Sequence, residues 1–234
     1  MTAKDRKAAL AEHLRRGILT LELEPSSDLD EVALGGTFEL SRTPVREVFR
    51  ALDGLGYVEL RENRGARVAT LSHTTLRDFF LAAPMVYGAI LRLAARNARP
   101  AQVNALKEAQ AQFRAALKAG NAADRTLANT RFHEITGEMA GNIYLLPSFH
   151  RLLIDHARIG MTFYQPRNNE MADNLDTASH QHDEIIAAIE AGNEERAARL
   201  ADEHWALSRD QIELYVMPTA LTSPLGELTR KTSA

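Results

Sequence analysis

The 234-residue chain has no cysteine, which excludes disulfides and thiolate-bound metal. Any cation must be held by imidazole, carboxylate or amide groups. No run approaches the roughly 20 uninterrupted apolar residues of a membrane span. The start, MTAKDRKAAL, lacks the apolar region of a secretory signal, so a cytoplasmic location is expected. Positive charge is not in excess either: 28 Lys and Arg face 31 Asp and Glu, a formal net charge of -3. Attraction to nucleic acid through overall charge is thereby excluded, and any DNA contact must come from a local basic face.

The remaining composition is that of a soluble globular protein, 45% hydrophobic and 25% charged, and the length fits two compact domains. In the first 70 residues eleven Lys and Arg oppose twelve Asp and Glu. The basic residues are clustered, however, at Arg42, Arg46, Arg50, Arg61, Arg64 and Arg67. Apolar spacing predicts an amphipathic helix over 5–20, stopped by Pro25, and a short helix over 31–36 capped by Asp28 or Asp30. A third helix is expected from Ser41, its N-cap, to about Gly54, with Pro44 tolerated in the first turn. Two strands follow at 57–60 and 66–70. Three helices and a hairpin make a winged helix-turn-helix over 1–71.

From Ser72 the texture is helical, with helices expected near 74–97, 101–119, 123–140, 143–163, 175–191 and 194–215. The fold class is therefore mainly α, an N-terminal winged helix-turn-helix with an all-α antiparallel bundle over 72–217. Residues 218–234 lose periodicity and read as a flexible tail.

Segment 41–69, SRTPVREVFRALDGLGYVELRENRGARVA, carries the functional argument. Val45, Val48, Phe49, Leu52 and Leu55 form one apolar stripe, while Arg42, Arg46 and Arg50 recur every four residues on another face. That pattern suits a helix in the major groove of double-stranded operator DNA, where Arg makes two hydrogen bonds to guanine. Ser41, Thr43 and the first-turn N–H groups can hold a phosphate, and Arg64 with Gly65 at the wing tip can reach the minor groove. An Arg row alone is more often a solvated face; the order of cap, helix, turn and basic wing argues for DNA. This segment resembles the signature of GntR-family winged-helix regulators. The resemblance implies DNA contacts at Arg42, Thr43 and Arg46, with Gly65 at the wing. Two positions depart from it: Asp30 stands where relatives often carry a polar or basic residue, and Glu39 where they commonly have Gly.

Eight histidines are present, and His133, His182 and His204 each fall on the apolar stripe of a predicted helix. Asn129 lies one turn before His133. One such His is more often a hydrogen-bonded core residue; three on antiparallel helices can converge on a divalent transition metal, zinc, nickel or manganese. His13, His73, His150, His156 and His180 match no motif and are expected to be structural or superficial. The C-terminal part resembles the FadR-like effector domain called FCD, on FH and GN within 132–142 and HDEIIAAIEAGNEERAARLADEH over 182–204. That resemblance implies a metal held by one Asp and three His, the Asp position being Asn129 here. Ala83 and Tyr87 stand where relatives usually carry an Arg and a Glu on the first helix of the domain. Arg158, Tyr87, Tyr164 and Trp205 are the candidate contacts for a small-molecule effector, expected to be an anionic metabolite.

The expected function is that of a homodimeric regulator, in the repressor sense, binding an inverted-repeat operator and sensing a small molecule at a metal-containing pocket. Two rivals stay open. The helical domain can serve dimerisation alone with structural histidines, or three His can activate water as in a metal-dependent hydrolase. No Glu, Asp or Lys is tied by spacing to a water-activating role, and no catalytic residue is expected.

Overall fold

The computed structural model describes residues 2–62, 64–163 and 169–216, with side chains outside the description at 162–172 and 208–216. Helix α1 (Ala3–Leu19) opens on a capping box between Thr2 and Asp5 and buries Leu10, Leu14 and Ile18. Helix α2 (Glu31–Thr37) buries none of its residues. Its start is fixed by Asp30, whose carboxylate accepts from Val32 N and Ala33 N at 2.9 and 3.0 Å. Helix α3 (Arg42–Leu55) buries Val45, Val48, Phe49 and Leu52 and ends on Gly56, whose φ of 87° favours a residue without Cβ.

Strand β1 (Asp28–Leu29) precedes α2, and β2 (Val58–Arg61) and β3 (Gly65–Val68) form the wing. The sheet is antiparallel in the order β1-β3-β2, with Leu29 opposite Ala66 and Leu60 also opposite Ala66. The hairpin was legible in the sequence; β1 was not, because two residues carry no alternation. The core of this domain, built on Leu10, Ile18, Val45, Phe49 and Val68, is completed by Ile154 and Ala157 from the C-terminal part.

Six helices follow: α4 (His73–Asn97), α5 (Pro100–Lys118), α6 (Ala122–Ala140), α7 (Leu146–Phe163), α8 (Asn169–Glu190) and α9 (Glu194–Val216). Their shared core includes Phe79, Ile90, Phe132, Phe149, Ile185 and Leu200. By length and composition α4 is apolar enough to cross a membrane, yet it is a bundle helix whose Ala83, Tyr87, Ile90, Leu91 and Ala94 are buried inside the fold. The expected tail, 218–234, lies outside the described residues.

Helix α7 faces both domains. Ile154 and Ala157 enter the winged-helix core, and the fully buried Arg158 reaches back to the segment after the wing. Its guanidinium donates to the carbonyls of Ala69 and Thr70 and pairs with Asp155. On the other flank of the contact Arg15 of α1 bonds Glu134 of α6 at 3.1 Å and the Tyr57 hydroxyl at 3.2 Å.

Candidate functional site

The face of α3 opposite its buried stripe presents Ser41, Arg42, Thr43, Arg46 and Arg50, all exposed. Among the described residues Arg42, Arg50 and Arg64 take part in no ion pair, whereas Arg46 Nε donates to both carboxylate oxygens of Glu31 at 2.9 and 3.1 Å. The Ser41 side chain makes no cap hydrogen bond, so its hydroxyl is available at the helix start. A groove lined by Arg46, Phe49, Arg50, Leu60, Arg61 and Gly65 separates this helix from the wing. Gly65 has a φ of 76°, which lets the chain turn into β3 next to the exposed Arg64.

The second constellation lies inside the bundle. His133 on α6, His182 on α8 and His204 on α9 are buried, and one ring nitrogen from each lies within 4.8 Å of the others. Their outer hydrogen bonds select the tautomers. Gln110 Nε2 donates to the Ser179 carbonyl at 2.7 Å, so its Oε1 is the atom facing His182, and His182 Nδ1–H donates to it at 2.8 Å. His204 Nδ1 likewise donates to Gln181 Oε1 at 3.0 Å. Both rings therefore turn a bare Nε2 lone pair inward. His182 Nε2 and both nitrogens of His133 are buried without a hydrogen-bond partner. Burial, reinforced by the neighbouring imidazoles, holds His133 and His182 well below the ordinary histidine range, and burial alone takes His204 down to about 4. Unprotonated nitrogens facing one another without donors fit a cation that accepts their lone pairs.

Asn129 is half-buried one turn before His133 and lines, with His204, a cavity of about 50 Å³ beside the cluster. His156 of α7 lines the same cavity. His13, His73, His150 and His180 are exposed, whereas His156 is buried. Its ring is buried 5.2 Å from that of His133 and its Nδ1 lies 2.8 Å from the Tyr87 hydroxyl. Arg125, also missed, lines the cavity one turn before Asn129; the spacing Arg125, Asn129, His133 on one helix face was the signal that could have found it.

Of the four candidate effector contacts, Tyr87 and Trp205 form an aromatic wall with Phe79, Phe149 and His156 and do not line the cavity. Arg158 does not line it either: the side chain read as an effector contact or a surface group is 0% exposed and ties α7 to the winged helix. The Tyr164 side chain lies outside the described residues.

Comparison with known proteins identifies both parts of the chain. Residues 6–68 match the family described as bacterial regulatory proteins, gntR family, and residues 85–207 match the FCD domain. The chain belongs to the GntR family. It is 31% identical over 179 residues to a probable D-xylose utilization operon transcriptional repressor of Paenarthrobacter nicotinovorans, covering 75% of each chain. It is 25% identical over 193 residues to the HTH-type transcriptional repressor RspR of Escherichia coli, covering 82% of each. Solved structures share the fold: Escherichia coli McbR/YncC at 17% identity and TM-score 0.73, over 90% of this chain and 97% of that one, and a putative GntR regulator from Rhodococcus at 18% and 0.68, over 91% and 99%. As a GntR-family member with an FCD domain, the protein is a DNA-binding transcriptional regulator and not an enzyme, which removes the hydrolase rival.

The departures from the GntR pattern now have local explanations. Asp30 is the N-cap of α2. Glu39 sits at a φ of 50°, a left-handed conformation that Gly adopts without strain, and Arg6 holds it by a bond to its carbonyl and an ion pair at 2.9 Å.

Proposed function

We propose that this regulator represses transcription as a homodimer on an inverted-repeat operator in the cytoplasm, and that a small molecule bound in the FCD domain modulates its DNA affinity. Arg42, Arg46 and Arg50 read base edges in the major groove, Ser41 and Thr43 hold phosphate, and Arg64 with Gly65 approaches the minor groove. Two copies related by a twofold axis read two half-sites, which makes the operator palindromic.

We propose further that His133, His182 and His204, with the Asn129 amide oxygen, hold a divalent transition metal such as zinc, nickel or manganese. The metal would supply a fixed positive charge in the sensing pocket. Gln110 and Gln181 orient two of the ligands from outside.

The observation that carries the regulatory reading is the position of α7. One helix brings His156 to the pocket and, within the same turn, Ile154, Ala157 and Arg158 to the DNA-binding domain. A ligand that prefers one setting of α7 thereby shifts the winged helices. The experiment is fluorescence anisotropy on the chain's own promoter fragment, with chelator-stripped and zinc-reconstituted protein, and plasma mass spectrometry of bound metal. Saturable binding to a palindromic site and one zinc per chain are expected; a monomer on a non-palindromic site, or zinc retained after His182 and His204 are both replaced by Ala, would reject the respective parts.

A further inference from the structure

The turn that ends α3 is gripped from the C-terminal part of the chain. Gly56 and Tyr57 close the helix by donating their N–H groups to the carbonyls of Asp53 and Leu52, both at 2.9 Å. The last turn of α3 holds Asp53 and no basic residue, so the negative end of the helix dipole has no cation of its own. Arg151 of α7 lies across this end. A Cβ placed on Gly56 would come within 2.6 Å of Arg151 Cδ and closer still to its Nη1, so glycine leaves the room that the arginine fills. Next in the chain, the Tyr57 hydroxyl accepts from Arg15, which also bonds Glu134 of α6.

Arg151 Nη1 is buried and has no hydrogen-bond partner among the described residues. Leaving such a donor unmet is costly, and an apolar side chain of similar length would fill the space without that cost. What the site offers a cation in return is the end of α3. Arg151, Ile154 and Arg158 recur at i, i+3 and i+7, on one face of α7. Ile154 enters the winged-helix core and Arg158 bonds the carbonyls that follow β3, while Phe149 and Leu153 belong to the bundle core. Helix α7 thus meets the winged helix at two charged points, the end of α3 and the end of the wing.

We propose that Arg151 is a positioning residue for DNA recognition: its charge, set against the C-terminal end of α3 at Gly56, fixes the recognition helix relative to the helical bundle. Arg151 itself touches no DNA. A helix held in its binding orientation pays less ordering cost on the operator, so loss of this charge lowers operator affinity. The proposal rests on the reading of α3 as the DNA-reading helix and requires neither a metal nor a ligand.

The test is a double-mutant cycle of Gly56→Ala and Arg151→Ala. It is read by fluorescence anisotropy on the chain's own promoter fragment over a range of salt, corrected for the folded fraction by urea unfolding. Alanine at position 56 strains the backbone equally in both backgrounds but displaces a side chain only where Arg151 is present, so the cycle isolates the contact. Each single variant is expected to weaken operator binding about threefold to tenfold, and the double variant no further. The salt dependence should keep its slope, whereas a phosphate-binding Arg151 would lower it by about one on removal. Arg151→Lys should keep part of the affinity that Arg151→Ala loses, and Arg151→Met, which retains the stem without the charge, none of it. That pair decides the matter if Gly56→Ala does not fold. Additive losses in the double variant, a reduced salt slope, Arg151→Met binding as well as Arg151→Lys, or lowered stability with unchanged affinity of the folded protein overturns the proposal. Arg46→Ala is the control: if it leaves affinity unchanged, the reading of α3 itself fails; if it weakens binding while the Arg151 variants do not, only this proposal falls.

Discussion

At the scale of single residues, Arg46 shows how a side chain proposed to read a base is kept in place without DNA. Its guanidinium lies on Glu31, and the pair is half in solvent, so the interaction is worth only about 0–1 kcal/mol and is readily exchanged for a base. Arg46→Ala is expected to cost roughly 1–3 kcal/mol of operator affinity and to relax base preference at one position per half-site. Glu31→Gln should act in the opposite sense, raising affinity on all sequences, more at low salt; anisotropy titrations on operator and scrambled DNA measure both. Asn129 is the matching case in the cavity beside the histidines. Asn129→Asp adds an ionised oxygen with little change of shape, so zinc should bind more tightly. Calorimetry that finds zinc affinity unaltered would show that residue 129 is not a ligand.

At the scale of elements, α2 and α7 stand at opposite extremes. Helix α2 buries nothing and contains Gly35 and Gly36, so its integrity depends on its cap and its packing on α3. Asp30→Ala should lower stability by about 1 kcal/mol, read by urea unfolding, and weaken operator binding because Glu31 and Arg46 lose their register. Helix α7 is held from both sides, and Arg158 is its fixed point on the DNA-binding domain. Arg158→Met removes the donor from two backbone carbonyls and leaves the buried Asp155 carboxylate without its ion pair. A loss of about 3–5 kcal/mol is expected. In the variant that remains folded, zinc should still bind while its effect on operator affinity shrinks. Undiminished coupling in anisotropy would remove α7 from the regulatory route.

At the scale of the whole molecule, four buried histidines make stability depend on pH. His156 is pushed down to about 3 and His204 to about 4, and His133 and His182 are also lowered, in each case chiefly by burial. Unfolded imidazoles protonate near 6.5, so below that pH the unfolded chain binds more protons than the folded one. Stability is therefore fully present above about pH 6.5 and lost as the pH falls toward the folded values, by on the order of 1.4 kcal/mol per histidine per pH unit. Urea unfolding of chelator-stripped protein between about pH 7.5 and 5 should show this decline, and a flat profile would show that the histidines are not buried neutral. Assembly has its own test. Leu81 and Met85, one turn apart on α4 and 65% and 77% exposed, offer an apolar face to a second copy. Met85→Glu should shift the mass measured by light scattering toward the monomer and weaken operator binding with it.

The sequence by itself determined the elements and the basic face of α3. The 3.6-residue apolar period, the caps Asp30 and Ser41 and the Arg row on α3 are local features, and the structure places helices and hairpin close to their expected bounds. Helical spacing also put Asn129 and His133 on one face and set His182 and His204 on inward stripes. Only the tertiary structure decided what meets those side chains. Strand β1 exists because β3 offers it a partner, not because two residues prefer extension. The role of Arg158 depends on carbonyls 88 and 89 positions away in the chain, and the hydrogen bond of the buried His156 depends on a tyrosine 69 positions away. Periodicity states which way a side chain points from its own backbone. The donor, acceptor or cavity it finds there is supplied by another part of the chain, through a packing arrangement that no local pattern encodes.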